Sequence, residues 1–290
     1  MNNVEKPLVS VLMTSYNRSN YIASAIESVM ASTYAHWELI IVDDGSWDDT
    51  VAIARRYAEQ DQRIRVYENE KNLGDYPNRN HAASLARGKY IKYVDADDAI
   101  YPWGLDILVT CMEQFPEAGW GLCSLDQFSA KPYPFMLQPE AIFEHHNFKA
   151  SLFHKAPLSA IIRKDLFDAV GGFSGKRQMS DVEMWHILSL TSPLVLMPHG
   201  IVWYRAHEEQ ESAQIRAEII VRARYLVAVW HFYRDYPGIP MSTAIRSQLE
   251  SRYRKQLYRS IRNNILKGRW KDALTVYRAM KDNQYDFKQL

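Results

Sequence analysis

The segment LIIVDDGS at residues 39–46 and the segment YIKYVDADD at residues 90–98 decide the fold of this chain. Each begins as a short apolar strand and ends in a cluster of aspartates. In open sheets built from alternating strands and helices, ligands bind beyond the carboxyl ends of the strands. Several carboxylates at one such edge repel each other unless a cation or hydrogen-bond donors offset their charge. We therefore expect a site for a divalent metal and a phosphate-bearing nucleotide at this edge.

Strand and helix patterns alternate through the first 125 residues. Apolar, β-branched runs predict the strands, which are Val9–Thr14, Trp37–Val42, Ile64–Tyr67, Tyr90–Val94 and Trp120–Leu125. Helical patterns fill the gaps, and Ser46 with Asp49 resembles a capping box before a helix at Thr50–Gln60. This alternation predicts an α/β fold with a mainly parallel sheet flanked by helices.

The middle of the chain is less regular. Three prolines predict a loop over Lys131–Pro139, and a strand and a helix are expected at Ser159–Arg163 and Val182–Leu190. Trp185 and Trp203 fit the hydrophobic core better than a platform for stacking sugars. From about residue 213 the pattern changes to long helices.

Charge is distributed unevenly along the chain. The whole chain of 290 residues is 47% hydrophobic and has a net charge of +1, which is typical of a globular protein and indicates no nucleic-acid partner. Residues 241–290, however, hold twelve Lys or Arg against four acids, a net charge of +8, so the first 240 residues carry −7. That asymmetry indicates different roles for the two parts.

No signal-peptide pattern and no apolar run of about 18 residues is visible, so we expect a cytoplasmic protein. Cys111 and Cys123 are expected to be reduced, buried thiols. Two interpretations remain for the basic helices. They pack on the main domain or on a second copy, or they dock on anionic lipid at the inner face of the membrane.

Several short motifs, in order, carry a resemblance to a known family. They are VSVLMTSYN at 9–17, IVDDGS at 41–46, NLG at 72–74, RN at 79–80, GKYI at 88–91, DADD at 95–98, GGF at 171–173, DVEMW at 181–185 and YRAH at 204–207. Each is weak alone, but the ordered set, over about residues 7–212, resembles the inverting nucleotide-sugar glycosyltransferases of family 2, which have the Rossmann-like GT-A fold. The resemblance implies a GT-A catalytic domain at 1–212, with a nucleotide-binding part at 1–125 and an acceptor part at 126–212. A basic helical extension at 213–290 follows.

The resemblance implies nucleotide contacts at the ends of the first two strands. At the end of the first strand, the expected nucleotide contacts are Thr14, Ser15, Tyr16 and Asn17. Tyr16 would stack on the base. Asp44 would accept a hydrogen bond from a base imide N–H, which uracil has. A UDP-linked sugar is therefore the expected donor.

The run Asp95–Asp98 resembles the DXD element of the family. One carboxylate would bind the ribose hydroxyls, and another would bind Mn²⁺ or Mg²⁺ on the diphosphate, because hard oxygen ligands suit these ions. Asp95 and Asp97 are the predicted nucleotide-sugar contacts. Asp97 is also the favoured metal ligand, and Asp98 is the alternative. The cation would offset charge on the leaving nucleoside diphosphate.

Three further residues complete the predicted site. Arg79 either donates to the diphosphate or holds the acidic edge together. His207 would approach the metal or the phosphates, although a single His often has a structural role. Asp181 is the predicted catalytic base, since inversion needs a carboxylate opposite the leaving group to take the proton of the acceptor. Its position at the start of a helix argues against a raised pKa.

The implied reaction transfers a sugar from a nucleoside diphosphate sugar to a hydroxyl of a glycan, lipid-linked or other acceptor, in cell-surface polysaccharide or glycoconjugate assembly. Two alternatives stay open. A sugar nucleotidyltransferase needs a glycine-rich phosphate loop after the first strand, where this chain has TSYNRS at 14–19. A catalytically inactive nucleotide-sugar-binding partner would not need the complete acidic set.

Overall fold

A computed structural model describes residues 6–126, 128, 130–176, 179–206 and 219–281 of the chain. Contacts divide the chain into two compact units, Met1–Arg205 and Ala206–Leu290. The predicted domain boundary at 212/213 lies outside the described residues.

The first unit alternates strands with helices. Its first half contains β1 Val9–Ser15, α1 Ile22–Met30, β2 Trp37–Asp43, α2 Thr50–Gln60, β3 Ile64–Glu68, α3 Asp75–Ser84, β4 Tyr90–Tyr93, β5 Ala99–Ile100 and α4 Gly104–Glu113. Its second half contains β6 Trp120–Leu122, β7 Phe135–Leu137, α5 Pro139–Phe148, a 3₁₀ turn Pro157–Ser159, β8 Ala160–Arg163, α6 Lys164–Ala169, α7 Ser180–Thr191, β9 Leu194–Leu196 and β10 Val202–Trp203. The predicted α/β alternation is confirmed.

Eight of these strands form one mixed sheet in the order β3-β2-β1-β4-β8-β6-β9-β7. The pairs β2–β3, β1–β2, β1–β4 and β6–β9 are parallel. Strand β8 is antiparallel to both β4 and β6, so β6 runs in the same direction as β4. The carboxyl ends of β1, β2, β4, β6 and β9 therefore lie at one edge, as expected for parallel strands joined by helical crossovers.

Trp185 belongs to the core, as predicted, and its indole stacks on that of Trp120 with the ring centroids 5.6 Å apart. The prediction for Trp203 is wrong, because this side chain is 43% exposed. Trp203 lies in β10, which among the described strands forms a two-stranded ribbon with β5. Alternate side chains of such a ribbon face opposite sides, and here the partners Ile100 and Val202 take the buried side.

The predicted loop at Lys131–Pro139 is also only partly correct. Strand β7 pairs antiparallel with β9 at the end of the sheet, and α5 begins at Pro139. Prolines are tolerated beside an edge strand and in the first turn of a helix, since neither position needs the missing N–H.

The second unit consists, in its described part, of α8 Ile219–Asp235, α9 Thr243–Leu266 and α10 Trp270–Ala279. The Ser242 hydroxyl caps α9 by accepting the Ile245 N–H. Leu249, Leu257 and Val276 are buried in this unit. The helices predicted for this part of the chain are confirmed. Among the described residues, no helix is both long enough and apolar enough to cross a membrane.

A buried carboxylate stabilises the sheet away from the site. Glu38 of β2 accepts hydrogen bonds from Ser10 at 2.6 Å, Arg65 at 2.6 Å and Arg87 at 2.8 Å. Burial by itself would raise the pKa of Glu38, but these donors together lower it. We expect Glu38→Gln to reduce the free energy of unfolding by about 1–3 kcal/mol, measured by urea denaturation. Exposed Glu59 provides the matched control, Glu59→Gln, and equal loss in both variants would contradict this role.

Candidate functional site

The candidate site lies at the carboxyl edge of β1, β2 and β4, next to the first turns of α3 and α7. Parallel pairing places Ser15 at the end of β1 opposite Asp43 at the end of β2. The acidic run 95–98 leaves β4 on the other side of β1. The sheet therefore brings together the motifs that are separated in the sequence.

Arg79 of α3 is buried and holds two carboxylates. Its Nη1 and Nη2 atoms donate to the two oxygens of Asp95 at 2.6 and 2.9 Å, and Nε donates to Asp75 at 2.8 Å. The Thr14 hydroxyl donates to the same Asp95 at 3.4 Å. Burial opposes the charge of Arg79, but Asp75 and Asp95 raise its pKa well above the ordinary value. Arg79 thus holds the acidic edge together, one of its two predicted roles.

The two predicted metal ligands are held by arginines from other parts of the chain. Asp97 accepts a hydrogen bond from Arg18 Nε at 3.0 Å. Asp98 is buried and accepts the backbone N–H of Arg205 at 2.9 Å, while Arg205 Nε donates to the carbonyl of Asp97 at 2.8 Å. The end of β10 therefore fixes the conformation of the acidic run.

The acidic run has the chemistry of a cation site. Burial and the charges of Asp95 and Asp97 raise the pKa of Asp98 to about 8, so this carboxyl group ionises with difficulty unless a cation stabilises its charge. Within the described ranges, no three Asp, Glu, His or Cys side chains are grouped to hold an ion. Mg²⁺ sites of nucleotide enzymes commonly use one or two carboxylates and complete their shell with phosphate oxygens and water. The residues present fit a cation bound in that way.

Asp44 shapes the loop that follows β3. Its Oδ1 accepts from Asn69 Nδ2 at 2.7 Å and from the Leu73 N–H at 2.8 Å, and its Oδ2 accepts from the Gly74 N–H at 2.8 Å. Gly74 has φ +88°, a conformation that favours glycine, and it directly precedes α3. Asp44 thereby fixes the start of the helix that carries Arg79.

The segment 14–17 at the end of β1 is held against the loop after β2. Ser15 donates its hydroxyl to Asp43 at 2.8 Å, and the Asn17 N–H donates to the Ser46 hydroxyl at 2.8 Å. Asn17 has φ +51° and accepts the Trp47 N–H at 3.1 Å. Tyr16 is exposed, so its ring is accessible to a ligand at this edge.

Asp181 lies in the first turn of α7. The Val182 N–H donates to it at 2.8 Å, and Tyr76 of α3 lies close enough to influence its pKa. Burial raises the pKa of Asp181 to about 6, although Val182, Tyr76 and the charge of Arg79 act in the opposite direction. The expected effect of a helix N-terminus is therefore outweighed by desolvation.

Glu183, two residues further along α7, is buried and pairs with Lys176 at 3.1 Å. It thus takes part in a different contact from Asp181. His207 and its predicted role lie outside the described residues.

Four residues of the site were not assigned a role from the sequence. They are Arg18, Tyr76, Asn80 and Arg205. Asn80 joins α3 to the GGF segment, since it donates to the carbonyl of Phe173 at 2.8 Å and accepts its N–H at 2.9 Å. A Cβ on Gly172 would lie 2.6 Å from the Asn80 side chain, so only glycine fits there. The Arg79-Asn80 and Tyr204-Arg205 pairs were visible as motifs, but their partners Asp95, Phe173 and Asp98 are more than 15 residues away in the sequence.

A cavity of about 590 Å³ lies further along the same edge, beyond the ends of β6 and β9. Aromatic and proline side chains line much of it, with Lys131 and His199 as polar groups. The other lining residues are Leu125, Phe128, Ala130, Pro132, Tyr133 and Pro198. All of them except Leu125 belong to the predicted acceptor part at 126–212.

Two bacterial proteins illustrate the likeness in sequence. EpsE, a putative glycosyltransferase of Bacillus subtilis (strain 168), is 30% identical over 189 residues, covering 62% of this chain and 66% of EpsE. TuaG of the same strain, a putative teichuronic acid biosynthesis glycosyltransferase, is 40% identical over 133 residues, covering 46% of this chain and 49% of TuaG. The aligned regions thus span about half to two thirds of these relatives.

Solved structures show the same fold. The crystal structure of S. aureus TarS residues 1–349 with UDP-GlcNAc has a TM-score of 0.67 at 16% identity, covering 96% of this chain and 82% of that one. The mannosyltransferase PcManGT from Pyrobaculum calidifontis, in complex with GDP-Man and Mn²⁺, has a TM-score of 0.62 at 17% identity, covering 98% and 89%. The family model described as glycosyl transferase family 2 matches residues 10–183, more than half of the chain. The chain therefore belongs to glycosyl transferase family 2 and has the GT-A fold.

Proposed function

We propose that the protein transfers a sugar from UDP to a hydroxyl acceptor, with inversion at the anomeric carbon and Asp181 as the base. The observation that carries this proposal is the state of Asp181, whose pKa is raised to about 6 by burial. A carboxyl group with that pKa is ionised at neutral pH and is a stronger base than an ordinary aspartate. The charge of Arg79 acts on the pKa of Asp181, and the same Arg79 donates a hydrogen bond to Asp95 in the acidic run.

In the proposed reaction, the acceptor oxygen attacks the anomeric carbon in line with the bond to the diphosphate. The new glycosidic bond forms as the bond to the diphosphate oxygen breaks, and the hydroxyl proton passes to Asp181. Tyr76 lowers the pKa of Asp181 and so favours the ionised form of the base. Since Arg79 is fixed by Asp75 and Asp95, the acidic edge does not need to rearrange during the reaction.

Asp97 and Asp98 are the proposed ligands of Mn²⁺ or Mg²⁺, with Asp95 at the nucleotide sugar. A bound ion would supply Lewis-acid stabilisation of charge on the departing diphosphate. Support comes from the carboxylate oxygens of this run and from the raised pKa of Asp98. PcManGT, a protein of the same fold, binds Mn²⁺ together with its GDP-sugar.

The base of the nucleotide is proposed to meet Asp44 and the segment 14–17. Asp44 already accepts three N–H groups, and a carboxylate has about four lone-pair sites, so the proposal assigns the remaining acceptor position of this buried residue to the imide N–H. The exposed ring of Tyr16 supports the proposed stacking on the base. TarS, whose structures contain UDP-GlcNAc or UDP, is consistent with a uridine nucleotide.

For the acceptor, we propose a hydroxyl of a glycan or of a lipid-linked saccharide, used in the assembly of a cell-surface polysaccharide or glycoconjugate. The cavity beyond β6 and β9, lined by Phe128 and Tyr133, offers apolar walls on which a sugar ring can pack. TuaG, which matches in sequence, is named for teichuronic acid biosynthesis. We place the reaction in the cytoplasm, close to the inner face of the membrane.

The proposal is tested first with a panel of nucleotide sugars in a thermal-shift assay with Mn²⁺. The sugars that stabilise the protein are then assayed for UDP release, with and without saccharide acceptors. UDP-sugars should raise the melting temperature and be consumed. Binding without any turnover would instead indicate an inactive nucleotide-sugar-binding partner, and release of pyrophosphate from UTP would indicate a nucleotidyltransferase.

A base-specific contact at Asp44 gives a quantitative prediction. CDP lacks the imide N–H of UDP, so we expect UDP to bind about 1.5–3 kcal/mol more tightly, the usual contribution of a hydrogen bond to a charged group. Isothermal titration calorimetry with both nucleotides, at the same Mn²⁺ concentration, measures the difference. Equal affinities would rule out recognition of the imide by Asp44.

A further inference from the structure

The second unit presents a surface that the proposed reaction does not use. At the turn between α9 and α10, six consecutive residues with the sequence LKGRWK are all exposed, and we call residues 266–271 the hairpin tip. Leu266 is 77% and Trp270 is 66% exposed. The turn is well defined, because Gly268 has φ +70° and the Arg269 N–H donates to the carbonyl of Asn264 at 2.8 Å. Large apolar side chains are thus displayed on an ordered structure.

The apolar part of this surface continues along α10. Trp270, Leu274 and Tyr277 recur at positions i, i+4 and i+7, so they share one stripe of the helix, and all three are exposed. The neighbouring stripe, with Ala273, Val276 and Ala279, is buried. Helix α10 therefore has two apolar stripes, and only one of these stripes is buried within the protein. Contiguous exposed apolar surface of this kind marks an interaction site.

The polar part of the surface is strongly basic. Residues 251–281 contain ten Lys or Arg and one acid, Asp272. All ten basic side chains are exposed: Arg252, Arg254, Lys255, Arg259, Arg262, Lys267, Arg269, Lys271, Arg278 and Lys281. Such a surface attracts an anionic partner and repels a basic one.

The basic charge and the exposed apolar side chains of this surface together indicate which kind of partner fits it. A second copy of the chain, bound through the same face around a two-fold axis, would place these like charges against each other. A nucleic acid would neutralise the cations but leave Leu266 and Leu274 in water. An anionic bilayer meets both requirements, because acidic headgroups bind Lys and Arg while Trp and Leu enter the interface.

We propose that the hairpin tip and the exposed stripe of α10 bind the surface of an anionic lipid bilayer. Leu266 and Trp270 insert among the headgroups, and the surrounding Lys and Arg side chains contact the acidic lipids. This contact is independent of the chemistry at the edge of the sheet, so it stands or falls separately from the proposed transfer reaction.

The test is sedimentation of the full-length chain with vesicles of phosphatidylglycerol and phosphatidylcholine, and with vesicles of phosphatidylcholine alone. The wild type should bind only the first kind, and less at high salt. Changing Lys267, Arg269 and Lys271 to Glu should weaken binding by about 10²-fold or more. The pair Leu266→Ser and Trp270→Ser should weaken it by about tenfold or more.

Matched controls lie in the first unit. Arg56→Glu changes an exposed base, and Phe148→Ser changes an exposed aromatic residue, and both should bind like the wild type. Circular dichroism and UDP affinity show whether each variant is folded. As a measurement that does not need the Ser variants, lipids brominated in the acyl chain should quench wild-type fluorescence more than that of Trp270→Phe.

Several results would overturn the proposal. They are equal binding to phosphatidylcholine vesicles, equal loss in the control variants, or quenching unaffected by Trp270→Phe. A dimer that dissociates in the tip variants, without vesicle binding, would identify a second copy as the partner. Binding of duplex DNA at physiological salt, again without vesicle binding, would identify a nucleic acid.

Discussion

Asp181→Asn is expected to lower the rate of sugar transfer by about 10²–10⁴-fold, because the amide keeps the shape of the side chain but does not accept the proton of the acceptor. UDP-sugar affinity should remain nearly unchanged, since Asp181 is assigned to the acceptor side. Steady-state kinetics with the purified acceptor, together with calorimetry of UDP binding, separate these two effects.

The pH dependence provides a second measurement of the same residue. With the pKa of Asp181 raised to about 6, the base is protonated below that pH and the wild-type rate should fall there. The acidic limb of the profile should disappear in Asp181→Asn. The native protein binds this proton more tightly than the unfolded chain, so Asp181 contributes stability at low pH that is lost as the pH rises through about 6. Asp181→Asn should therefore not lower the melting temperature at pH 7.

Glu183→Gln is the comparison within the same helix turn. Glu183 is paired with Lys176, so this variant should keep most of the transfer rate even if it loses some stability. Near-normal turnover in Asp181→Asn with an inactive, folded Glu183→Gln would show that the base is wrongly assigned. Full activity in both variants would contradict a single displacement assisted by a carboxylate.

Asp97→Ala is expected to reduce transfer by about 10²–10⁴-fold, because Lewis-acid stabilisation of the leaving diphosphate contributes several kcal/mol. EDTA should have the same effect on the wild type, and added Mn²⁺ or Mg²⁺ should restore activity. Calorimetry of Mn²⁺ binding in the presence of UDP gives a readout that does not depend on turnover. Asp97→Ala should bind the ion much more weakly.

The ion pair of Asp97 with Arg18 requires its own control. If Asp97 acts only by holding Arg18, then Arg18→Met will reproduce the loss of activity without loss of Mn²⁺ affinity. If Asp97 is a ligand, Arg18→Met will retain the ion and much of the activity. Full activity of the wild type in EDTA would refute the metal proposal altogether.

Much of the fold was predictable because the buried strands are visible in the sequence as runs of apolar residues. Strands β1, β2 and β4 are mostly apolar and are buried on both faces, and such segments admit few other structures. The prediction for Trp203 was wrong, and the loop predicted at Lys131–Pro139 was only partly correct, for the opposite reason. Short ribbon and edge strands depend on which neighbour pairs with them, and residues such as Ala99 and Leu196 supply that pairing from far along the chain.

Hydrogen bonds predicted from neighbouring residues are also unreliable when a distant residue supplies the partner. The capping box predicted for Ser46 and Asp49 is wrong, since Asp49 makes no side-chain cap and Ser46 instead donates to Asp43 and accepts from Asn17. The capping box is defined by two residues three positions apart in the sequence. Asn17 is far away in the sequence, and the pairing of β1 with β2 brings it next to Ser46. Where a distant partner offers a hydrogen bond, the local pattern does not determine which bond forms.

The sequence by itself determined the α/β fold, the family and the edge at which the acidic motifs gather, because hydrophobic period and motif order are properties of the chain. Only the tertiary structure decided how the charges at that edge are held. Arg79 binds Asp95, Arg18 binds Asp97, and Arg205 fixes Asp98. It also decided that burial outweighs the helix N-terminus at Asp181 and raises its pKa. Desolvation depends on every element packed around a group, and no short stretch of sequence contains that information.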